Sequence, residues 1–138
     1  MSRDELLATA SEARGRAYAP YSGFSVGAAL LTESGKVFPG CNVENISLGL
    51  SICAERAAVG AAIAAGEKEF TAIAIVTDAA EPAVPCGACR QVLAEFNPNM
   101  PIVTSTLRHQ IQELSLSELL PRAKQGILER FNHVQAPD

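Results

Sequence analysis

Ser51-Ile52-Cys53-Ala54-Glu55-Arg56 and Pro85-Cys86-Gly87-Ala88-Cys89-Arg90 are the stretches around which this sequence is organised. Cys86 and Cys89 have the C-x-x-C spacing that lets two sulfurs reach one ion from the first turn of a helix. Cys53 supplies a third sulfur from elsewhere in the chain. Three protein ligands leave one corner of a tetrahedral zinc open, as a catalytic site requires and a structural site does not. Glu55, two residues after Cys53, is placed to handle protons for whatever fills that corner. Two other uses of the sulfurs stay open on spacing alone. One is a closed structural zinc with Cys41 as fourth ligand, the other a dithiol redox pair at Cys86 and Cys89. Neither gives Glu55 a purpose.

Both stretches open helices. Cys53 to Ala65 is alanine-rich and ends at Gly66, and Cys86 to Phe96 is stopped by Asn97-Pro98. Phe70 to Thr77 reads as a buried strand and Pro101 to Thr106 as a strand. Upstream, Phe24 to Leu31 and Val37 to Val43 flank the turn Glu33-Ser34-Gly35-Lys36 and read as an antiparallel hairpin. Leu6, Leu7, Ala10, Ala13 and Ala17 have helical spacing, which predicts a helix over 3–16 whose narrow, alanine-rich face packs close to a sheet. Downstream, Gln110 to Leu114 reads as a short edge strand, and Ser115-Leu116-Ser117-Glu118 as a capping box for a short helix through Leu120.

This order predicts an α/β fold: a three-layer α/β/α sandwich with a mixed five-stranded sheet, an N-terminal hairpin and parallel βαβ units. Residues 1–138 are read as one domain, with a loosely held tail from about residue 122. Strand–helix–strand crossovers normally join parallel neighbours with a right-handed connection. The second, third and fourth strands are then parallel, and both helices start at the carboxyl edge of the sheet. That edge is where open α/β sheets bind ligands, and there the topology can gather all three sulfurs. Helix N-termini also favour thiolate over thiol, which suits metal binding.

Of the 138 residues 48% are hydrophobic, which excludes a disordered chain. A net charge of −4 argues against a nucleic-acid partner, which needs a basic stripe. Arg3, Asp4, Glu5, Glu12 and Arg14 interrupt the N-terminus, so it reads as neither an export signal nor a membrane span. With four cysteines, that points to a reducing, cytoplasmic setting. Both tyrosines, Tyr18 and Tyr21, lie in a Pro/Gly loop, where composition favours rings that cover the core. In an extended chain Asn42 and Glu44 share one face and Val43 points to the other. The pair suits a polyol, although a solvated strand end is the commoner meaning. Arg56 and Arg90 directly follow Glu55 and Cys89, where either can donate to a metal-bound sulfur and draw off charge. Cys41 reads as simple burial, and His109 and His133 as ordinary histidines, exposed or satisfied, outside every motif.

Cys-Ala-Glu-Arg followed by Pro-Cys-Gly-Ala-Cys-Arg-Gln resembles the small homotetrameric cytidine deaminases. The resemblance runs from about Ala17 to Pro121. It includes Ala17-Tyr18-Ala19-Pro20-Tyr21-Ser22-Gly23-Phe24, Gly40-Cys41-Asn42-Val43-Glu44-Asn45 and Leu119-Leu120-Pro121. It implies zinc-dependent hydrolytic deamination of cytidine and deoxycytidine, with one Zn2+ per subunit held by Cys53, Cys86 and Cys89. It implies that Glu55 takes a proton from the activated water and delivers protons to N3 and the leaving amine. It further implies that Asn42 and Glu44 hold the ribose 3′-hydroxyl, that Phe24 packs on the base and that the Ala54 N–H fixes the pyrimidine O2. The partners it implies are a free nucleoside and neighbouring subunits that complete each site, with no nucleic acid and no membrane. The same chemistry on another amine, such as a nucleoside antibiotic or a nucleotide, is the alternative; the charge of Glu44 disfavours a phosphate near the 3′ position. The chain departs from the family after Pro121, where no aromatic follows until Phe131, the candidate to replace it.

Overall fold

A computed structural model of the chain describes residues 1–123. The expectations for Phe131, His133 and the tail beyond residue 123 lie outside the described residues. Among those residues the order is α1 (Arg3–Arg14), β1 (Val26–Thr32), β2 (Val37–Cys41), a 3-10 turn (Leu48–Leu50), α2 (Ala54–Ala64), β3 (Phe70–Thr77), α3 (Gly87–Phe96), β4 (Pro101–Thr106), β5 (Ile111–Ser115) and α4 (Leu116–Leu119). The strands form one sheet in the order β2-β1-β3-β4-β5. The β3–β4 pair is parallel; β1–β2, β1–β3 and β4–β5 are antiparallel.

The mixed five-stranded sheet and its three layers are as the sequence predicts, with one correction. β2, β3 and β4 do run in one direction, but β2 and β3 are not neighbours, because β1 pairs with both. The α2 crossover therefore passes over β1. Alternation along the strands separates two cores. Ala28, Leu30, Ile73, Ile75 and Ile102 face α2 and α3, while Ala29, Ala74, Val76 and Val103 face α1.

Two glycines set how closely the layers approach. A Cβ on Gly27 would lie 1.9 Å from the Ala10 carbonyl oxygen, and one on Gly40 would lie 2.3 Å from that of Ala54. α1 thus rests on bare β1 backbone and α2 on bare β2 backbone. The second contact fixes where α2 begins, and with it Cys53 and Glu55. Gly60, on the outer face of α2, has nothing within 4 Å of such a Cβ. Gly27→Ala is expected to cost about 3 kcal/mol, the upper end of overpacking, because the atoms it meets are backbone. Gly60→Ala is expected to be neutral or to stabilise by about 0.5–1 kcal/mol. Urea unfolding of the two variants checks this, and equal midpoints would contradict the close packing.

Candidate active site

Cys53 and Cys86 are the N-cap residues of α2 and α3, both in extended backbone conformation. Cysteine is not a favoured cap, and neither sulfur makes a conventional side-chain capping bond. Both are left free to face outward from the helix ends. Cys89 follows within the first turn of α3 and is fully buried. β2 and β3 feed these two helices in the same direction, so all three sulfurs converge at one sheet edge. Cys53 Sγ lies 3.8 Å from Cys86 Sγ, Cys86 Sγ lies 3.5 Å from Cys89 Sγ, and all three fall within 4.8 Å of one another.

The residues fit a zinc ion. Tetrahedral zinc with Zn–S bonds of about 2.3 Å separates its sulfurs by about 3.8 Å. Electrostatics agree. Burial, then the neighbouring Glu55 carboxylate, push the Cys89 thiol far up from its usual range. Burial also opposes the Cys86 thiolate, but the Cys89 N–H, the Cys89 and Cys53 sulfurs and the Ala88 N–H outweigh it and hold that thiol low. Three crowded sulfurs of this kind need a cation to ionise together. Arg56 supplies part of that charge: its Nη2 donates to Cys53 Sγ at 3.5 Å and to the Ser51 carbonyl at 3.3 Å. Its Nε is buried without a partner among the described residues, an orphan that suits a thiolate-rich centre. Cys41 stands apart, paired with Gly27 in the β1–β2 ladder and outside the sulfur group. The closed structural zinc therefore loses its fourth ligand.

Glu55 lies in the first turn of α2 and is only 5% exposed. Burial raises its carboxyl above the usual carboxylate range, against smaller opposing effects from its own N–H, Cys89 and Arg56. Arg90 is used differently from Arg56. Its Nε donates to the Pro85 carbonyl at 2.8 Å and its Nη1 to that of Leu119 at 3.2 Å. It thus braces the residue before Cys86 against the end of α4.

A cavity of about 300 Å3 opens beside Cys53, Glu55 and Cys86, at the lower end of the roughly 300–1,000 Å3 of small-molecule sites. Phe24, Asn42, Glu44 and Ala54 line it as well. β2 ends at Cys41, two residues before the expected Val43, because the Asn42 side chain takes over the contact with β1. Its Oδ1 accepts from the Val26 N–H at 2.8 Å and its Nδ2 donates to the Phe24 carbonyl at 2.8 Å. The Glu44 carboxylate accepts from the N–H groups of Tyr21 at 3.0 Å and Ser22 at 3.1 Å, and from the Ser22 hydroxyl. Those bonds, the hydroxyl foremost, hold it below the usual carboxylate range. Each side chain keeps capacity for a ligand: one N–H and one lone pair on Asn42, one lone pair on Glu44.

Three features were not anticipated from the sequence. Tyr18 and Tyr21 are 56% and 53% exposed, so neither covers the core. Thr104, buried in β4, donates to the Ala83 carbonyl at 2.6 Å and ties down the loop that forms one cavity wall; a polar residue in an apolar strand was its only signal. Ser22, which holds Glu44, was visible only as part of a Pro/Gly loop. A larger cavity, of about 650 Å3, lies on the other side of the sheet between α1 and the β4–β5 turn. Exposed His109 lines it, away from the sulfur cluster.

Residues 1–105 match the cytidine and deoxycytidylate deaminase zinc-binding region. A cytidine deaminase of Sporosarcina psychrophila is 47% identical over 124 residues, covering 89% of this chain and 91% of that protein. One of Halalkalibacterium halodurans is 49% identical over 124 residues, covering 89% and 94%. The crystal structure of cytidine deaminase from Burkholderia pseudomallei superposes with a TM-score of 0.86 at 49% identity, over 88% of this chain and 98% of that one.

Proposed function

Because this chain belongs to the zinc-binding cytidine and deoxycytidylate deaminase family, we propose that its cavity seats a free pyrimidine nucleoside. In that reading the base lies on Phe24, the sugar 3′-hydroxyl on Asn42 and Glu44, and the reacting carbon beside Glu55 and the three sulfurs. The enzyme hydrolyses cytidine and deoxycytidine to uridine and deoxyuridine, a step of pyrimidine salvage. One water enters, the C4–N bond breaks as a C4–O bond forms, and ammonia leaves. The observation that carries the reading is a buried carboxyl beside three sulfurs at tetrahedral spacing, opening on a cavity lined by Asn42 and Glu44.

Zinc, held by Cys53, Cys86 and Cys89, supplies Lewis-acid activation of water. Glu55 moves the protons. It takes one from the incoming water and gives it to N3, then takes the second from the oxygen added at C4 and gives it to the departing amine, so both protons of the water are accounted for. Burial raises its carboxyl above the usual carboxylate range, which favours holding a proton between the two transfers. The Ala54 N–H, at the start of α2, lacks a helical partner and is free to bind the pyrimidine O2. Arg56 draws charge from Cys53, and Arg90 sets the position of the Cys86 loop.

The site is shared within a homotetramer. Tyr18, Val43 and Ile52 lie side by side through bridges between 18 and 43 and between 43 and 52, and all three are exposed. Ile46, Leu48 and Leu50 follow in the same segment at 81%, 74% and 68% exposure. An apolar surface of that size beside a cavity calls for a partner, and a second copy supplies matching surface. No helix among the described residues is long and apolar enough to cross a membrane. Free thiols at the metal site fit a reducing cytoplasm.

An absorbance assay on cytidine with and without a chelator tests the function. Turnover that stops on zinc removal and returns on zinc addition is expected. Turnover of another aminopyrimidine with none of cytidine would overturn the substrate assignment.

A further inference from the structure

We propose that Ser22 is a positioning residue for sugar recognition, its hydroxyl tying the Phe24 wall of the cavity to the Glu44 carboxylate so that one carboxylate oxygen is held toward the sugar. This rests on the assignment of Glu44 to the 3′-hydroxyl.

The Ser22 hydroxyl donates to Glu44 Oε2 and accepts the Phe24 N–H at 2.9 Å. A hydroxyl has one proton, and this one is committed, so Ser22 acts through Glu44. Glu44 Oε1 already accepts two backbone N–H groups, from Tyr21 and Ser22, whereas Oε2 accepts only the hydroxyl. The lone pair left for a ligand is therefore on Oε2, the oxygen that Ser22 orients. The bond also keeps that oxygen an acceptor, since the Ser22 hydroxyl is the main reason the Glu44 carboxyl lies low. Gly23, at φ 69°, takes the left-handed turn that brings the Phe24 N–H back onto Ser22. Asn42 holds the Phe24 carbonyl at 2.8 Å. The backbone of the base wall is thus gripped on both sides by residues that line the sugar end of the cavity, and all four side chains face that cavity.

The test is kcat/KM of Ser22→Ala on cytidine and on 3′-deoxycytidine, which lacks the hydroxyl in question. We expect cytidine to lose about tenfold or more, as for a hydrogen bond to a charged group, and 3′-deoxycytidine to lose much less. The preference of the wild type for cytidine then collapses, and Ser22→Thr restores it. A merely structural role lowers both substrates equally, and an unchanged preference overturns the proposal. Glu44→Gln on the same pair separates the two layers. If it leaves the preference intact, the assignment of Glu44 to the sugar fails; if it removes the preference while Ser22→Ala does not, only the role of Ser22 fails.

Discussion

Glu55→Gln is expected to keep its zinc and to turn cytidine over about 10³-fold more slowly. Glutamine has nearly the same shape, and the ligand sulfurs sit on Cys53, Cys86 and Cys89, so the metal site is undisturbed. In the proposed mechanism, what disappears is the group that carries one proton of the water to N3 and the other to the amine. At 5% exposure the position has little solvent to replace it. Metal analysis and steady-state kinetics on one preparation check both halves. Wild-type turnover with bound zinc would remove Glu55 from the chemistry.

Cys89→Ser is expected to lose zinc and turnover together. Serine offers a hydroxyl that does not ionise at neutral pH and lies too short for the sulfur spacing. Losing an outer partner of a metal site costs about 10–100-fold in affinity, and losing a ligand costs more than that. Thermal unfolding should also fall, because bound metal stabilises the folded state by mass action. Cys41→Ser is the control. Cys41 is half-buried in β2 and outside the sulfur group, so zinc content and turnover should be kept. Loss of zinc in the Cys41 variant would reinstate a closed four-sulfur site.

Much of this was legible because it is local. Phe70–Thr77 is largely apolar and Pro101–Thr106 is rich in β-branched residues, each lies between turn signals, and their bounds in the structure are those read from the sequence. The C-x-x-C spacing needs only one helical turn to place two sulfurs. The insertion of β1 between β2 and β3 was not legible, because pairing between distant strands leaves no mark in the period of either. The exposed tyrosines went against expectation for a related reason: composition favours buried rings, and whether a loop turns its rings inward or outward leaves no mark in composition. Asn42 and Glu44 were placed on one face by strand alternation. That both also hold the backbone of the loop from Tyr18 to Val26 depends on contacts 16 to 23 residues away in sequence. Arg56 and Arg90 looked equivalent beside their motifs, yet one reaches a sulfur and the other two carbonyls. Helix phase and the path of the preceding loop decide that, not spacing.

X-ray absorption at the zinc edge of the wild-type enzyme tests the central claim most directly. Three sulfurs at about 2.3 Å and one oxygen at about 2.0 Å are expected. Four sulfurs around the metal would contradict it.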